Sequence, residues 1–205
     1  KFNPFAVLNI EEFEIRHSNF LAWILDPNGS HNSYDYTLRR LIGELENVPD
    51  EKKIKYQLAD LRETEIYREQ NHIDILIINH IHKFVICIEN KINANRSGEN
   101  QLIKYAEIID SEWKEKEYDT FFVFLTKTHS RLTDDEINIG FENITYGTII
   151  QILEKLLNEV SLEPKVSDFI DFYVQNFKKN MMSNEHELTK LAIEIYRKHK
   201  IAIDY

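Results

Sequence analysis

The sequence predicts a mixed α/β domain in which helices pack on a central sheet. Three neighbouring segments, at 63–68, 72–78 and 83–92, are rich in β-branched and aromatic residues and are separated by polar turns, which is typical of strands. A helical pattern and then a further apolar run, TFFVFLT at 120–126, follow them. Both ends of the chain instead carry apolar residues at the spacing of helices. This order of elements predicts an α/β fold with helices layered on the sheet.

We expect the first long helix at 10–25. Asn9 can cap its start, and the two acidic residues that follow in its first turn suit the positive end of a helix. The turn-forming segment DPNGSH at 26–31 ends it, and a second helix is predicted at 34–45. The helical repeat places five residues on one side of the first helix, namely Glu14, His17, Ser18, Leu21 and Leu25.

The sheet is predicted to begin after a charged segment at 46–55, which has the composition of a loop or a frayed helix. A polar turn at 79–82 joins the second and third strands into a hairpin. The third strand, at 83–92, is nearly continuous in apolar residues, so we expect it to be covered on both faces. A polar loop at 93–100 then leads into a helix at 100–116.

The last third of the chain is predicted to be mainly helical. A long polar connection at 128–142 leads to a short strand at 144–146. Thr148 and Gln151 have the spacing of a capping box, which predicts a helix from there to about residue 159. Two more helices complete the chain, at 167–179 and 184–200.

Length and composition fit one domain with a substantial core. The chain has 205 residues, of which 42% are hydrophobic and 29% charged, as in globular rather than disordered proteins. We expect a single unit over 1–205, with N-terminal helices in 1–60, a sheet core with its crossover helix in 61–147 and C-terminal helices in 148–205. The sequence has no apolar run near the roughly 18 residues of a membrane span and no signal-peptide pattern. With one cysteine, Cys87, it is expected to be cytoplasmic.

Charge alone does not decide between partners. The formal net charge of −10 argues against a surface that binds nucleic acid by charge. The segment 83–104 is nevertheless mildly basic, since it contains Lys83, Lys91, Arg96 and Lys104. An acidic protein with one basic segment is compatible with a nuclease and with an ordinary solvated helix face.

The chemistry is expected in the segment 72–105. Asp74 stands at the head of one apolar run, and Glu89 and Lys91 stand at the end of the next, where charges cost free energy unless they are paired or bind a metal. Strand alternation puts Glu89 and Lys91 on one face, with Asn90 facing away, and a hairpin would bring Asp74 to them. Because Mg²⁺ takes oxygen ligands, typically one or two carboxylates, this edge is a candidate metal site, which the Asn90 carbonyl could join.

These residues resemble the motifs of a known nuclease superfamily. Asp74 with Glu89-Asn90-Lys91 resembles the bipartite motif of the PD-(D/E)XK nucleases, and Gln101 with Tyr105 resembles the QxxxY element of their exonuclease-like branch. Ile73 stands where the superfamily name carries Pro. The resemblance covers most of 10–177 and extends to an uncharacterised bacterial family, through Glu14, His17-Ser18, the LAWILDP run at 21–27, His31 and the FVFLT run at 122–126.

The resemblance implies a restriction-endonuclease-like core, with a central mixed β-sheet flanked by α-helices. It implies a nuclease that uses Mg²⁺ or Mn²⁺ to hydrolyse phosphodiester bonds. The resemblance does not specify the substrate, for which we expect DNA. Asp74 and Glu89 would bind the metal, Glu14 would add a carboxylate, and Lys91 would be the catalytic lysine. Gln101 and Tyr105 would line the substrate side. Phosphate contacts would then be left to Lys91, Arg96, Lys104 and Arg68.

Other interpretations remain open at this point. The charged cluster can be a structural ion-pair group, Glu14 a solvated helix residue, and Gln101 with Tyr105 a surface pair or a helix–sheet contact. The domain can be a catalytically silent nucleic-acid-binding or regulatory module of a bacterial defence system, although every catalytic position is filled. It can also be a structural α/β domain. A homodimer is expected for cleavage of both strands of a duplex, but no interface is specified.

Overall fold

A computed structural model describes residues 2–8, 13–92 and 100–179, and the structural statements below refer to these residues. One five-stranded mixed sheet forms the centre of the fold, with strand order β1-β2-β3-β4-β5. The first three strands form an antiparallel meander, whereas β3, β4 and β5 run parallel. The strands are β1 (Thr64–Gln70), β2 (Ile73–Asn79), β3 (Phe84–Lys91), β4 (Asp119–Thr126) and β5 (Phe141–Thr145). The predicted fold class, a mixed sheet flanked by helices, is confirmed.

Helices lie before, within and after the sheet. They are α1 (Pro4–Val7), α2 (Glu14–Leu25), α3 (Tyr36–Glu44), α4 (Asp50–Leu58), α5 (Gln101–Trp113), α6 (Asp134–Asn138), α7 (Tyr146–Glu159) and α8 (164–179). A short 3₁₀ turn, Lys114–Lys116, extends α5. None of these helices combines the length and the apolar character that a membrane crossing requires.

Both faces of β2 and β3 are buried, as the apolar run predicts. Ile75 pairs with Ile88 and Leu76 with Cys87, which confirms the hairpin. One face, which carries Ile75 and Ile88, packs against α2, α3, α7 and α8. The opposite face, which carries Leu76 and Cys87, packs against the crossover helix α5. Side chains on the two faces of the sheet thus enter two separate cores. Glu89 and Asn90 are both buried, although they point to opposite faces.

Three boundary predictions after β4 were wrong, whereas the segment at 46–55, predicted as a loop or a frayed helix, contains most of a helix, α4. Tyr56 is the only buried residue of α4, which explains its weak apolar pattern. The capping box at Thr148 is not used, since α7 begins at Tyr146 directly after β5, and β5 itself ends one residue earlier than predicted. The polar connection contains α6, which Thr133 and Glu136 open with a capping box of their own.

Some predictions fall outside the described residues. These are the cap at Asn9, nearly all of the loop at 93–100 with Arg96, and the helix at 184–200. The first helix was predicted to begin at residue 10, but Phe13 is extended and α2 begins at Glu14. The single unit over 1–205 with its three parts stays a prediction.

A tightly packed turn links α2 to α3. His31 is fully buried, and its Nδ1 accepts the Ser33 N–H at 3.0 Å. Its Nε2 therefore carries the ring proton and donates to the Asp26 carbonyl at 2.8 Å. Burial lowers the pKa of His31, so the ring stays neutral. A methyl group added at Gly29 would lie 2.6 Å from Nε2 of His31 and 2.8 Å from the Trp23 carbonyl oxygen.

Gly29→Ala is expected to lower the free energy of unfolding by about 1–3 kcal/mol, because the added carbon must displace His31 or the backbone. Gly43→Ala is the matched control. Gly43 lies within α3, where an added carbon meets only Gln57 Nε2 at 3.3 Å, so the higher helix propensity of Ala should keep or raise stability. Urea unfolding of both variants checks this. Equal midpoints would contradict the role assigned to Gly29.

Candidate functional site

Four elements converge at one edge of the sheet. Asp74 is the second residue of β2, and Glu89 and Lys91 are among the last three residues of β3. Because Ile75 pairs with Ile88, Asp74 and Glu89 lie next to each other one step closer to the edge. Glu14 and Gln101 are the first residues of α2 and α5. The fold therefore brings together residues that are far apart in the chain.

Asp74 is held through both its backbone and its side chain. Its Oδ2 accepts the Asn90 N–H at 2.8 Å. Its carbonyl accepts a hydrogen bond from Arg68 Nε at 2.8 Å. Glu69, which follows Arg68 in the chain, has a φ of 55°, in the left-handed region that non-glycine residues rarely adopt. Burial raises the pKa of Asp74, although the Asn90 N–H and the charge of Lys91 offset part of the effect. The half-buried Asp74 carboxylate is therefore held in place at the start of β2.

Glu89 carries the clearest sign of an incomplete environment. Its side chain is 2% exposed, and its Oε1 accepts from Gln101 Nε2 at 3.1 Å. Its Oε2 is buried without a hydrogen-bond partner among the described residues. Burial, and then the negative charge of Asp74, raise the pKa of Glu89 to about 7. A positive charge placed beside these two carboxylates would relieve both effects.

Lys91 lies between two glutamates. Its Nζ is 3.1 Å from Glu89 Oε1 and 3.6 Å from Glu14 Oε2. Burial lowers the pKa of Lys91, but the charges of Glu89 and Glu14 more than offset it, so that the pKa is raised. Oε1 of Glu14 accepts the Ile92 N–H at 3.1 Å. Glu14 thus supports Lys91 and the end of β3 in this structure, and its role as a metal ligand stays a prediction.

The donor set fits a hard divalent cation. Asp74 and Glu89 offer carboxylate oxygens on adjacent strands, and one of these oxygens is buried with no hydrogen-bond partner in the part of the chain that the structure describes. Within the described part of the chain, no three His, Cys, Asp or Glu side chains form a ready-made metal cluster. Two carboxylates are nevertheless the usual protein contribution to a Mg²⁺ site, in which water and substrate phosphate fill the other positions.

Of the residues expected on the substrate side, some are hydrogen-bonded within the protein and one, Lys104, is exposed. Gln101 Nε2 also donates to the Tyr105 hydroxyl at 2.6 Å, and that hydroxyl donates to the His72 carbonyl at 2.8 Å. This pair therefore ties α5 to Glu89 and to the start of β2. Lys104 is exposed on α5, and Arg96 lies outside the described residues. Arg68 is not a free phosphate contact, since it bonds to Asp74 and to the Asn19 side chain.

Two polar side chains beneath the site, those of Tyr146 and Asn90, were not predicted from the sequence, whereas Ser18 was placed on the Glu14 face of the first helix. Tyr146 donates to Asn90 Oδ1 at 2.8 Å, and Asn90 Nδ2 donates to Ser18 Oγ at 2.8 Å. The available signal was Asn90 itself, because an amide that faces the core from an apolar strand needs partners. The identity of those partners depends on α2 and α7, which are distant in sequence.

The comparison with known families agrees with this geometry. A sequence model described as the PD-(D/E)XK nuclease superfamily matches residues 2–175. No curated protein and no solved structure matches the chain. The family match covers most of the chain and includes every described residue at the candidate site. The chain therefore belongs to the PD-(D/E)XK nuclease superfamily, whose members are generally metal-dependent nucleases.

Proposed function

We propose that this protein is a nuclease that hydrolyses phosphodiester bonds in DNA and depends on Mg²⁺ or Mn²⁺. The observation that carries the proposal is the buried Oε2 of Glu89, which has no hydrogen-bond partner among the described residues and lies beside the Asp74 carboxylate. An unpaired buried polar atom costs free energy, so this oxygen calls for a partner. A proton shared with Asp74 would supply one, but a divalent cation would also offset the negative charge of both carboxylates.

Asp74 and Glu89 would hold the cation, with the Asn90 carbonyl and Glu14 as further candidate ligands. When bound, such a cation lowers the pKa of a coordinated water and offsets negative charge on the phosphate. The Asn90 N–H keeps one oxygen of Asp74 in place, and Gln101 does the same for Glu89. The protein thus contributes two oriented carboxylates at a partly buried edge.

Lys91 would act on the reacting groups. Its charged ammonium can donate to the attacking water or to the scissile phosphate, and Glu14 and Glu89 hold it at the site. In the reaction, the attacking water loses one proton to solvent as its oxygen bonds to phosphorus, and one phosphorus–oxygen ester bond breaks. The released alkoxide takes up a proton from solvent, which leaves an alcohol and a phosphomonoester. Lys104 and Arg96 would contact flanking phosphates, with Gln101 and Tyr105 on the same side.

The setting that we propose is the cytoplasm. Cys87 is buried and burial raises the pKa of its thiol, which suits an unreactive core residue rather than a redox group.

A homodimer would bring two sites to a duplex, and sedimentation with and without DNA would detect it.

Cleavage assays with Mg²⁺ or Mn²⁺ separate the possible activities. The substrates are linear DNA, circular DNA, single-stranded DNA and RNA. We expect cleavage of DNA that EDTA abolishes and that Asp74→Asn loses, since the carboxylate at Asp74 is a proposed metal ligand. Asp134→Asn, an exposed aspartate of α6, is the control and should retain cleavage.

Equal cleavage by the wild type and Asp74→Asn would contradict the proposed site. Absence of cleavage of every substrate by a folded wild type would favour the silent regulatory module instead.

A further inference from the structure

A chain of buried polar groups lies on the face of β3 opposite Glu89 and Lys91. Its members come from four elements and are all nine-tenths buried or more: His17, Ser18, Asn90, Tyr146 and Tyr173. The apolar core around them contains α2, α7 and α8. Polar groups in such a core cost free energy unless every donor and acceptor is satisfied. Their arrangement therefore calls for an explanation.

Asn90 is the point where the chain meets the site. Its side-chain Oδ1 accepts from the Tyr146 hydroxyl at 2.8 Å, and its Nδ2 donates to Ser18 Oγ at 2.8 Å and to the Glu14 carbonyl at 3.3 Å. The Ser18 hydroxyl donates in turn to the Glu14 carbonyl at 3.1 Å. The Asn90 side chain is thus held from α2 on one side and from α7 on the other.

The remaining contacts extend the row of buried polar groups. Tyr146 donates its hydroxyl proton to Asn90 and also interacts with Tyr173. The Tyr173 hydroxyl lies 2.9 Å from His17 Nδ1. The Asn90 amide therefore stands at one end of a connected row of buried polar groups that reaches α8.

The backbone of Asn90 links this buried row to the candidate site on the other face of the sheet. Its N–H donates to Asp74 Oδ2 at 2.8 Å, and its neighbours in the chain are Glu89 and Lys91. A rotation of the Asn90 peptide would therefore move the N–H away from Asp74. It would also shift the two side chains that flank Asn90. Asn90 is thus linked to three groups of the candidate site, to Asp74 by a hydrogen bond and to Glu89 and Lys91 along the chain.

We propose that Tyr146 and Ser18 are positioning residues, which clamp the Asn90 amide and through it set the Asp74 carboxylate against Glu89. The effect on catalysis rests on the proposed nuclease function, whereas the effect on Asn90 does not. A packing role alone would need the Tyr146 ring but not its hydroxyl. The ring stacks on Phe177, with centroids 4.3 Å apart, and this contact is independent of the hydroxyl.

Tyr146→Phe separates the two roles, because it keeps the ring and leaves Asn90 Oδ1 without its donor. Tyr56→Phe is the matched control. Tyr56 is equally buried and its hydroxyl donates to Asp119 at 2.8 Å, but Asp119 pairs with Phe84 at the opposite end of the parallel strands. Both variants lose one buried hydroxyl, and only Tyr146→Phe loses one that contacts Asn90.

Amide hydrogen exchange of the metal-free protein gives a readout that needs no activity. We expect exchange of the Asn90 N–H to speed up by roughly tenfold in Tyr146→Phe relative to the Ile88 N–H, and to be unchanged in Tyr56→Phe. In the proposed nuclease, Tyr146→Phe should also weaken Mn²⁺ binding by about tenfold or more and lower kcat, with little change in KM for DNA. Ser18→Ala should act in the same direction.

Asn90 exchange that responds equally in Tyr146→Phe and Tyr56→Phe would overturn the proposal, as would unchanged Mn²⁺ affinity and kcat in an active enzyme. If the wild type neither binds Mn²⁺ nor cleaves DNA, the nuclease function is wrong. The Asn90 exchange rates still decide the positioning role in that case.

Discussion

Lys91→Ala is expected to lower kcat for DNA cleavage by about 10²–10³-fold, which is the loss typical of removing one donor that stabilises charge in a transition state. Mn²⁺ binding should persist or strengthen. Lys91 lies 3.1 Å from Glu89, so its removal leaves more unbalanced negative charge for a cation to offset. Single-turnover cleavage and calorimetric Mn²⁺ titration measure the two effects separately.

Lys178→Ala serves as the control for this variant. Lys178 pairs with Glu154 on the surface, far in sequence from the site, and its loss should change neither quantity. Cleavage by Lys91→Ala at the wild-type rate would remove the lysine from the mechanism. Loss of Mn²⁺ binding together with cleavage would assign it a structural role instead.

Glu89→Gln is expected to abolish cleavage and Mn²⁺ binding while making the metal-free protein more stable. Burial and the charge of Asp74 both disfavour the ionised Glu89, and an amide of the same shape removes that charge. The expected gain is about 1 kcal/mol, or roughly 2–4 °C in Tm, in line with the stability that proteins give up at functional sites. Thermal unfolding in EDTA measures it.

Glu65→Gln is the control, since Glu65 is exposed on β1 and the same substitution should leave Tm and Mn²⁺ binding unchanged. A clear fall in the Tm of metal-free Glu89→Gln would mean that the ion pair with Lys91 stabilises the fold more than the buried charge destabilises it. The cluster would then be structural in origin.

The central hairpin could be predicted because its evidence is local. Alternation along β3 puts Glu89 and Lys91 on one face, and the polar turn after β2 places Asp74 opposite Glu89. The continuous apolar run of β3 also predicts correctly that both of its faces are buried. Short-range spacing was sufficient for these features.

Other features depend on contacts that spacing does not reveal. α4 is anchored by Tyr56, whose hydroxyl donates to Asp119, the first residue of β4. Tyr146 looked like the end of a strand, but it begins α7 and bonds to Asn90, 56 positions earlier. Arg68 was predicted to contact a phosphate of the substrate. The left-handed backbone at Glu69 instead accompanies a hydrogen bond from Arg68 to the Asp74 carbonyl.

Calorimetric titration of Mn²⁺ into the metal-free wild type and into Asp74→Asn tests whether the neighbouring carboxylates of Asp74 and Glu89 form the metal site of a nuclease. We expect saturable binding in the wild type, a loss of that binding in Asp74→Asn, and cleavage that follows the occupied fraction. Binding of equal affinity in the wild type and Asp74→Asn would contradict this assignment.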